Sequence, residues 1–226
     1  MAVTTDAPSR KRGFSWKHVL VIVPVVSTFG IAGAFFHELR EHGAYEIKRS
    51  QDDLNSQIDL LRARDTDSVY LYETHRTDAL LQQLRGMPEI RSLRLDLTDV
   101  SDDGIDHIAS LPNLRTLVVY GGRPGLGNAG LARLSRAARL DTLELVNTHV
   151  TNDGLSALRD FSNLRVLKLC FEAQRGERFT DDAFEHLRDL QDVQELELGG
   201  GWASDAMVSD LEAALPDCEV VTSRTP

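Results

Sequence analysis

The chain contains 226 residues, of which 42% are apolar and 27% are charged, a composition typical of a soluble fold with one or two domains. Its net charge is −10, and the first 36 residues hold four of its 25 basic but only one of its 35 acidic residues, so the remainder carries −13. Such a surface repels nucleic-acid phosphates and anionic lipid headgroups, which argues against either as the main partner.

A basic segment and then an apolar segment open the chain. Residues 1–18 are polar and include four basic side chains, whereas 19–37 are mostly apolar, and the eighteen residues 19–36 reach about 27 Å as a helix. This pattern predicts a basic cytoplasmic tail followed by a single-pass anchor in the cell membrane, with everything after the anchor outside the cytoplasm. The alternative is a cleavable signal peptide, because Ala32-Gly33-Ala34 has the A-x-A form, and the protein would then be secreted after cleavage near Ala34.

Residues 38–65 have the pattern of a helical stalk. The segment contains no Pro, and Ile47, Leu54, Ile58 and Leu61 are spaced by seven, four and three residues, which places them on one stripe of a helix. Such a stripe packs on itself, on a partner stalk or on whatever follows in the chain. A solvated spacer helix is the alternative interpretation.

From residue 66 onward, one L-x-x-L-x-L pattern recurs. Successive copies begin 24, 26, 24 and 29 residues apart, and a degenerate copy precedes them at Val69 and Leu71. The five regular copies are Ile90/Leu93/Leu95, Leu114/Leu117/Val119, Leu140/Leu143/Leu145, Leu164/Leu167/Leu169 and Val193/Leu196/Leu198. A period of this length predicts a stack of repeats with one continuous apolar core.

Each copy predicts a short strand whose apolar residues point inward while the residues between them point outward. Side by side, the strands predict two outward columns. The first is Tyr70, Arg94, Val118, Glu144, Lys168 and Glu197, and the second is Tyr72, Asp96, Tyr120, Val146, Cys170 and Gly199. Short helices should begin after the N-capping residues Thr77, Ser101, Thr151, Thr180 and Ser204. A final turn over Leu215–Val220 predicts a terminal cap, so residues 66–226 hold about six repeats and a cap.

Residues 99–117 and 140–169 fit best to the pattern L-x-x-L-x-L-x-x-T-x-V-T-D-x-G-L-x-x-L-x-x-L-P-N-L. The chain thereby resembles bacterial membrane-anchored leucine-rich-repeat proteins, whose units of about 24 residues are similar to those of ribonuclease-inhibitor-like and F-box-associated proteins. The resemblance implies an α/β leucine-rich-repeat solenoid of short parallel strands alternating with short helices, preceded by a transmembrane helix and a helical stalk. It also implies protein binding on a curved scaffold, with no catalytic residues to carry over.

Other motifs have structural explanations. Residues 125–130 read G-x-G-x-x-G, but Gly130 is equivalent to Gly104 and Gly154 of other repeats, so no dinucleotide site is predicted. The aspartates at 99–103 imitate a calcium loop whose twelfth position is Ser110 rather than Glu. With the histidines scattered and no nucleophile motif present, the sequence predicts no enzyme, cofactor, metal or small-molecule substrate.

The two cysteines, Cys170 and Cys218, fall on predicted strands two repeats apart. At the usual strand spacing they would lie about 10 Å apart, beyond the reach of a disulfide. We therefore expect two free thiols, with Cys218 buried in the core.

The candidate partner-binding residues lie on the concave sheet and on one edge of it. Insertions at 121–127 and 171–179 fall between strand and helix, a position that often marks the binding side of a repeat protein. The candidates for contact with a protein or peptide are Tyr70, Arg94, Tyr120, Arg123, Glu144, Lys168, Phe171, Arg175 and Trp202.

Two alternatives accompany that hypothesis. The charged outward residues Glu144, Lys168 and Glu197 are also explained as sideways ion pairs that only keep the sheet soluble, and the insertions as neutral loop drift. For the whole protein, the alternative to a membrane-anchored interaction scaffold is a structural or self-assembling envelope component that uses the repeats as a spacer.

Overall fold

The repeated apolar segments form one parallel sheet in the computed structural model, which describes residues 51–72, 77–96, 98–121, 125–171 and 179–223. These residues belong to one unit, 42–226. The predicted tail, the anchor over 19–37 and the first part of the stalk lie outside the described residues. No helix in the described part of the chain is both long and apolar enough to cross a membrane.

Seven strands pair in sequence order, each parallel to the next. They are β1 (Ser68–Tyr72), β2 (Ser92–Asp96), β3 (Thr116–Tyr120), β4 (Thr142–Val146), β5 (Val166–Cys170), β6 (Glu195–Gly199) and β7 (Glu219–Ser223). Parallel neighbours need a crossover connection, and here short helices supply it. The predicted alternation of strands and helices is confirmed.

The helical segments are short, as the repeat length requires. They are α1 (residues 51–63), α2 (Thr77–Leu84), α3 (Ile105–Ala109), α4 (Asn128–Leu134), α5 (Asn152–Leu155), α6 (Phe184–Leu187) and α7 (Asp205–Ala214). A 3-10 helix follows α5 at Ser156–Asp160, and another precedes α6 at Asp181–Ala183.

The inward positions of the strands form the predicted spine. Leu93, Leu117, Leu143, Leu167 and Leu196 are paired in register from β2 to β6, and each is fully buried. Burying one such side chain contributes about 1.5–3 kcal/mol, so a spine shared by successive strands is the main stabilising feature of the stack. The predicted register is therefore confirmed.

A ladder of side chains links the helical segments of successive repeats. In each bond a side-chain oxygen near the start of one helical segment accepts the backbone N–H of the residue that precedes the next helical segment or the turn leading into it. The pairs are Asp78 with Ser101 (3.0 Å), Asp102 with Gly127 (2.8 Å), Asn128 with Thr151 (2.9 Å), Asn152 with Thr180 (3.2 Å) and Asp181 with Ser204 (3.1 Å). Much of the acidity at the helix starts thus holds neighbouring repeats together.

The glycine shared by three repeats makes room for this ladder. A Cβ at Gly154 would overlap the side chain of Asn128, and a Cβ at Gly104 would overlap that of Asp78. The repeat position of these glycines is therefore a steric requirement of inter-repeat bonding. No nucleotide phosphate is needed to explain it.

At the N-terminal end, α1 closes the stack. Leu54, Ile58 and Leu61 are buried in the same core as the strands, so the described part of the predicted stalk packs on the first repeat. The side chain of Gln57 also reaches the outer edge of β1. It accepts the N–H of Tyr70 at 2.7 Å and donates to the Tyr70 carbonyl at 2.8 Å, as a neighbouring strand would.

At the C-terminal end, α7 and the turn after it close the core with Met207, Leu211 and Leu215. The predicted cap continues into β7, whose side chains are mostly exposed. Cys218 is only partly buried, because it lies at this exposed end rather than in the core as expected. The prediction that both thiols are free is confirmed.

Candidate protein-binding face

The third and fifth residues of the strands form the outward face of the sheet, because side chains alternate along a strand. Both predicted columns are found in register. The first runs Tyr70, Arg94, Val118, Glu144, Lys168, Glu197 and Val221, and the second runs Tyr72, Asp96, Tyr120, Val146, Cys170, Gly199 and Ser223.

On β1–β3, five of these side chains form what we call the tyrosine–arginine cluster: Tyr70, Tyr72, Arg94, Asp96 and Tyr120. The Arg94 Nε donates to both carboxylate oxygens of Asp96 at 3.0 Å, and the Tyr70 hydroxyl donates to Asp96 Oδ2 at 2.9 Å. The Arg94 guanidinium lies 4.8 Å from the Tyr120 ring centroid and 5.8 Å from that of Tyr70. Asp96 therefore fixes the positions of the Tyr70 and Arg94 side chains.

The electrostatics of the cluster keep its donors protonated. Partial burial, followed by the hydrogen bond to Asp96, raises the pKa of Tyr70. Burial and the nearby charge of Glu144 raise the pKa of Tyr120. Both hydroxyls therefore remain neutral donors at physiological pH.

The cluster presents aromatic surface to solvent although Tyr70, Arg94 and Asp96 are linked by hydrogen bonds. Tyr70 is 44% exposed and Tyr72 is 52% exposed, with their ring centroids 6.2 Å apart. Asp96, in contrast, is only 8% exposed. The arrangement offers apolar ring faces held in place by a buried carboxylate, which suits contact with another molecule.

On β4–β6 the outward face is ionic. Lys168 bridges two carboxylates of β6, at 2.8 Å from Glu195 and 3.2 Å from Glu197. These hydrogen bonds raise the pKa of Lys168, so the amine stays charged. The sideways pair of Lys168 with Glu197 matches the soluble-sheet alternative for these two residues, while the charge of Glu144 helps to raise the pKa of Tyr120.

The edge beyond the carboxyl ends of β5 and β6 carries an aromatic group. The ring of Phe179 lies 4.3 Å from that of Phe171 and 5.2 Å from that of Trp202, measured between centroids. The Trp202 indole donates to the Leu169 carbonyl at 3.3 Å. Trp202 is thus fixed in place with part of its surface accessible.

Phe171 is placed differently from the prediction. It is 6% exposed and belongs to the core, so its ring is not available for direct contact with a partner. Strand alternation indicated this position, because Phe171 follows the outward Cys170 and therefore points inward. Arg123 and Arg175, the other two residues predicted at this edge, lie outside the described residues.

Two residues outside the predicted set belong to the site. Tyr72 is the most exposed aromatic side chain among the described residues, and Asp96 holds the cluster together. Both were already placed in the predicted outward columns. The sequence signal was an acidic residue that shares the outward face with an Arg of its own strand and lies between Tyr residues of the two neighbouring strands.

The outward face carries the thiol of Cys170. Burial raises the pKa of Cys170 to about 11, so its thiol is not a ready nucleophile at neutral pH. In the described part of the chain, no group of three or more His, Cys, Asp or Glu side chains is placed to hold a metal ion.

No protein-family model matches the chain, and no curated protein matches it by sequence. Among solved structures, it is similar to the crystal structure of the Rad7 and Elc1 complex from yeast, with a TM-score of 0.55 and 17% identity over 89% of this chain and 53% of that one. It also matches an internalin from Listeria monocytogenes, with a TM-score of 0.35 and 15% identity over 74% of this chain and 65% of that one. The chain spans about half the length of the first of these neighbours.

The first likeness concerns the fold alone. Together with the repeat spacing and the continuous parallel sheet, it shows that the domain has a leucine-rich-repeat fold. The bacterial origin and the ribonuclease-inhibitor-like repeat type implied by the sequence stay predictions.

Proposed function

We propose that the repeat domain is a protein-interaction scaffold that binds a protein or an extended peptide on the outward face of its sheet. The observation that carries this proposal is the tyrosine–arginine cluster on β1–β3. Tyr and Arg are the residue types that most often dominate binding energy at protein interfaces.

The cluster is organised before any partner arrives. Asp96 holds Arg94 and Tyr70 by three hydrogen bonds, so these long side chains have lost most of their rotamer freedom already. Ordering such a side chain at an interface costs about 0.5–1.5 kcal/mol, and a prearranged cluster avoids most of that cost. Exposed Tyr72 then supplies ring surface next to a rigid base.

The neighbouring structure is consistent with this proposal. The yeast protein Rad7 was solved in complex with another protein, Elc1. A fold that places a continuous sheet on one side and helices on the other offers a broad surface, which suits a protein or peptide better than a small molecule.

For the remaining predicted properties we propose the following. The protein is not an enzyme, since the described residues of the outward face include a fixed carboxylate and a neutral thiol but no nucleophile paired with a base. It is anchored through residues 19–37 with its repeat domain outside the cytoplasm, because a basic flank precedes that apolar run.

The alternative function, self-assembly through the stalk, has less support in residues 51–63. Leu54, Ile58 and Leu61 of this segment are buried against the chain's own first repeat. The apolar stripe that a partner stalk would need is therefore already occupied there.

Site-specific photo-crosslinking tests the proposed face. A benzophenone amino acid replaces Tyr72 in the full chain, expressed in its native membrane, and a matched chain carries it at Arg136, whose side chain is 69% exposed on the helical side. We expect a discrete adduct from position 72 and none from position 136. Adducts from position 136 alone, or equal adducts from both positions, would remove the outward face from the proposal.

A second pair of variants tests whether the Tyr72 ring itself contributes to binding, beyond lying close to the partner. Tyr72→Ala should weaken binding of the partner identified by crosslinking by about 2 kcal/mol or more, measured as its recovery without crosslinking, if Tyr72 is a dominant contact. Arg136→Ala serves as the control and should leave recovery unchanged. Equal recovery with both variants would mean that the ring is not a binding determinant.

Membrane attachment has its own test. The full chain and a variant lacking residues 19–37 are separated into membrane and soluble fractions after an alkaline carbonate wash. We expect the full chain to stay with the membrane and the variant to be released. Release of the full chain would contradict an integral anchor and favour cleavage near Ala34.

A further inference from the structure

The two outer edges of the sheet, at β1 and β7, differ in whether their backbone groups are hydrogen-bonded to a neighbouring group. At β1, the Gln57 side chain occupies both the N–H and the carbonyl of Tyr70. At β7, the described residues supply a neighbour on one side only, strand β6. A strand edge without a neighbour is a template for pairing with another chain.

The hydrogen bonds to β6 identify which groups of β7 face outward from the sheet. The Glu219 N–H donates to the Gln194 carbonyl at 2.8 Å, and the Ser223 carbonyl accepts the Gly200 N–H at 2.8 Å. Because the hydrogen-bonding side alternates along a strand, residues 219, 221 and 223 face β6. The N–H and carbonyl groups of Val220 and Thr222 therefore point to the open edge.

The sequence of β7 favours strand pairing. Its three central residues, Val220, Val221 and Thr222, are β-branched, the class with the highest strand propensity. The strand has no Pro and no Lys, the residues with which edge strands commonly block unwanted pairing. Val221 is 38% exposed, so side chains of an added strand have apolar surface beside them.

Charge decides which occupant suits this edge. From Asp189 to Ser223 the chain has nine acidic residues and no Lys or Arg, and four of the nine, Asp189, Asp192, Glu195 and Glu197, pair with basic side chains outside that stretch. Two copies joined at β7 would bring these like charges together, which is unfavourable. An extended segment with Lys or Arg meets the opposite sign, and its approach is steered by the same field.

We propose that the open edge of β7 binds an extended, basic segment of a partner protein by strand addition, with the backbone of Val220 and Thr222 supplying the hydrogen bonds. This mode takes affinity from the main chain and selectivity from charge. It is separate from the outward-face site, which uses side chains of β1–β3, and it stands or falls without that site.

The test uses the full chain and a fluorescent synthetic peptide of alternating Lys and Val, with blocked termini, in an anisotropy titration. The decisive variant is Thr222→Pro, which deletes an N–H at the open edge while leaving the bonds of residues 219, 221 and 223 to β6 in place. The matched control is Thr222→Val, which changes the side chain and keeps the N–H. We expect Thr222→Pro to weaken peptide binding at least about tenfold and Thr222→Val to bind like the unaltered chain.

A second measurement on the unaltered chain does not depend on the folding of any variant. Hydrogen–deuterium exchange should slow over residues 219–223 when the Lys/Val peptide is added, and a Glu/Val peptide of the same length should cause no slowing. The proposal is overturned if exchange at 219–223 is unchanged, if the Glu/Val peptide binds equally well, or if a folded Thr222→Pro chain binds normally. Dimerisation of the unaltered chain that Thr222→Pro abolishes would also overturn it, because the occupant would then be a second copy.

Discussion

The two ends of the repeat stack solve the same problem in different ways. An interior strand has a neighbour on each side, so its backbone groups and apolar residues are satisfied by adjacent repeats. At the N-terminal end, α1 supplies both functions, with buried leucines over the core and Gln57 on the strand edge. At the C-terminal end, α7 covers the core, while the described residues supply no neighbour for the outer edge of β7.

This difference separates two tasks that a solenoid cap performs. Covering the apolar core is essential at both ends, because exposed leucines at either end would destabilise the whole stack. Covering the strand edge matters less for stability, because water can solvate the open backbone groups. We therefore expect large effects from core residues at either end and smaller effects from edge groups.

The largest effect should come from the core contact of α1. Leu61 is fully buried, while its neighbour Leu60 is 47% exposed, so the two form a matched pair on one helix. Leu61→Ala should lower the free energy of unfolding by about 2–5 kcal/mol. Leu60→Ala should change it by less than about 0.5 kcal/mol, both measured by urea denaturation. Equal effects would mean that α1 is a spacer and does not cap the core.

The next effect concerns the chain between β6 and α7, which passes close to the aromatic edge. Gly200 has φ +95° and a Cβ there would overlap the Phe171 carbonyl, whereas Gly201 has φ +75° with open space around it. Gly201→Ala should cost about 1–2 kcal/mol from backbone conformation alone. Gly200→Ala should cost about 3 kcal/mol or more, because the backbone has to move as well.

Thermal unfolding of the two glycine variants distinguishes these causes. The melting temperature should fall further for Gly200→Ala, and Trp202 fluorescence should change in that variant because its ring packs against Phe179 beside Phe171. Identical melting temperatures for the two variants would show that close approach to Phe171 is not what selects glycine at position 200.

A third, smaller effect should follow from opening the β1 edge. Gln57→Ala removes the two hydrogen bonds to Tyr70 and should lower the free energy of unfolding by about 1–3 kcal/mol. Gln51→Ala, on the same helix but bonded only to exposed side chains, is the control. Hydrogen exchange over 68–72 should quicken in Gln57→Ala alone. Unchanged exchange in that variant would show that the amide does not protect the edge.

The spine of the domain was predictable because two periods agree. The alternation within a strand and the recurrence of the repeat both require Leu93 and Leu117 to lie side by side, and no other arrangement buries them all. The ends were less predictable. A stripe containing Leu54 and Leu61 fits any apolar surface, and the contact of Gln57 with Tyr70 depends on how a helix docks.

The candidate site was predictable in position but not in detail. The columns follow from strand register alone, so Tyr70, Arg94 and Tyr120 fall together as expected. That Asp96 holds Tyr70 and Arg94 depends on side-chain rotamers, which a sequence pattern does not specify. The insertion after Phe171 predicts an exposed edge residue, whereas strand alternation turns its ring inward, and the ring is buried.

The smallest effect compares the same register position on the two edge strands. Tyr70 of β1 and Val221 of β7 are both third residues of their strands, with 44% and 38% of their surfaces exposed. Tyr70→Ala removes the hydrogen bond to Asp96 and should cost about 1 kcal/mol, since Arg94 also loses a ring neighbour.

Val221→Ala should change the free energy of unfolding by only about 0.5 kcal/mol or less, because little buried area is lost. Chemical denaturation of both variants gives the two values directly. A larger loss at Val221 than at Tyr70 would mean that the outward residues of β7 are packed in a way that its exposure does not indicate. The difference between the β1 edge, which is hydrogen-bonded to Gln57, and the β7 edge would then hold for backbone groups only.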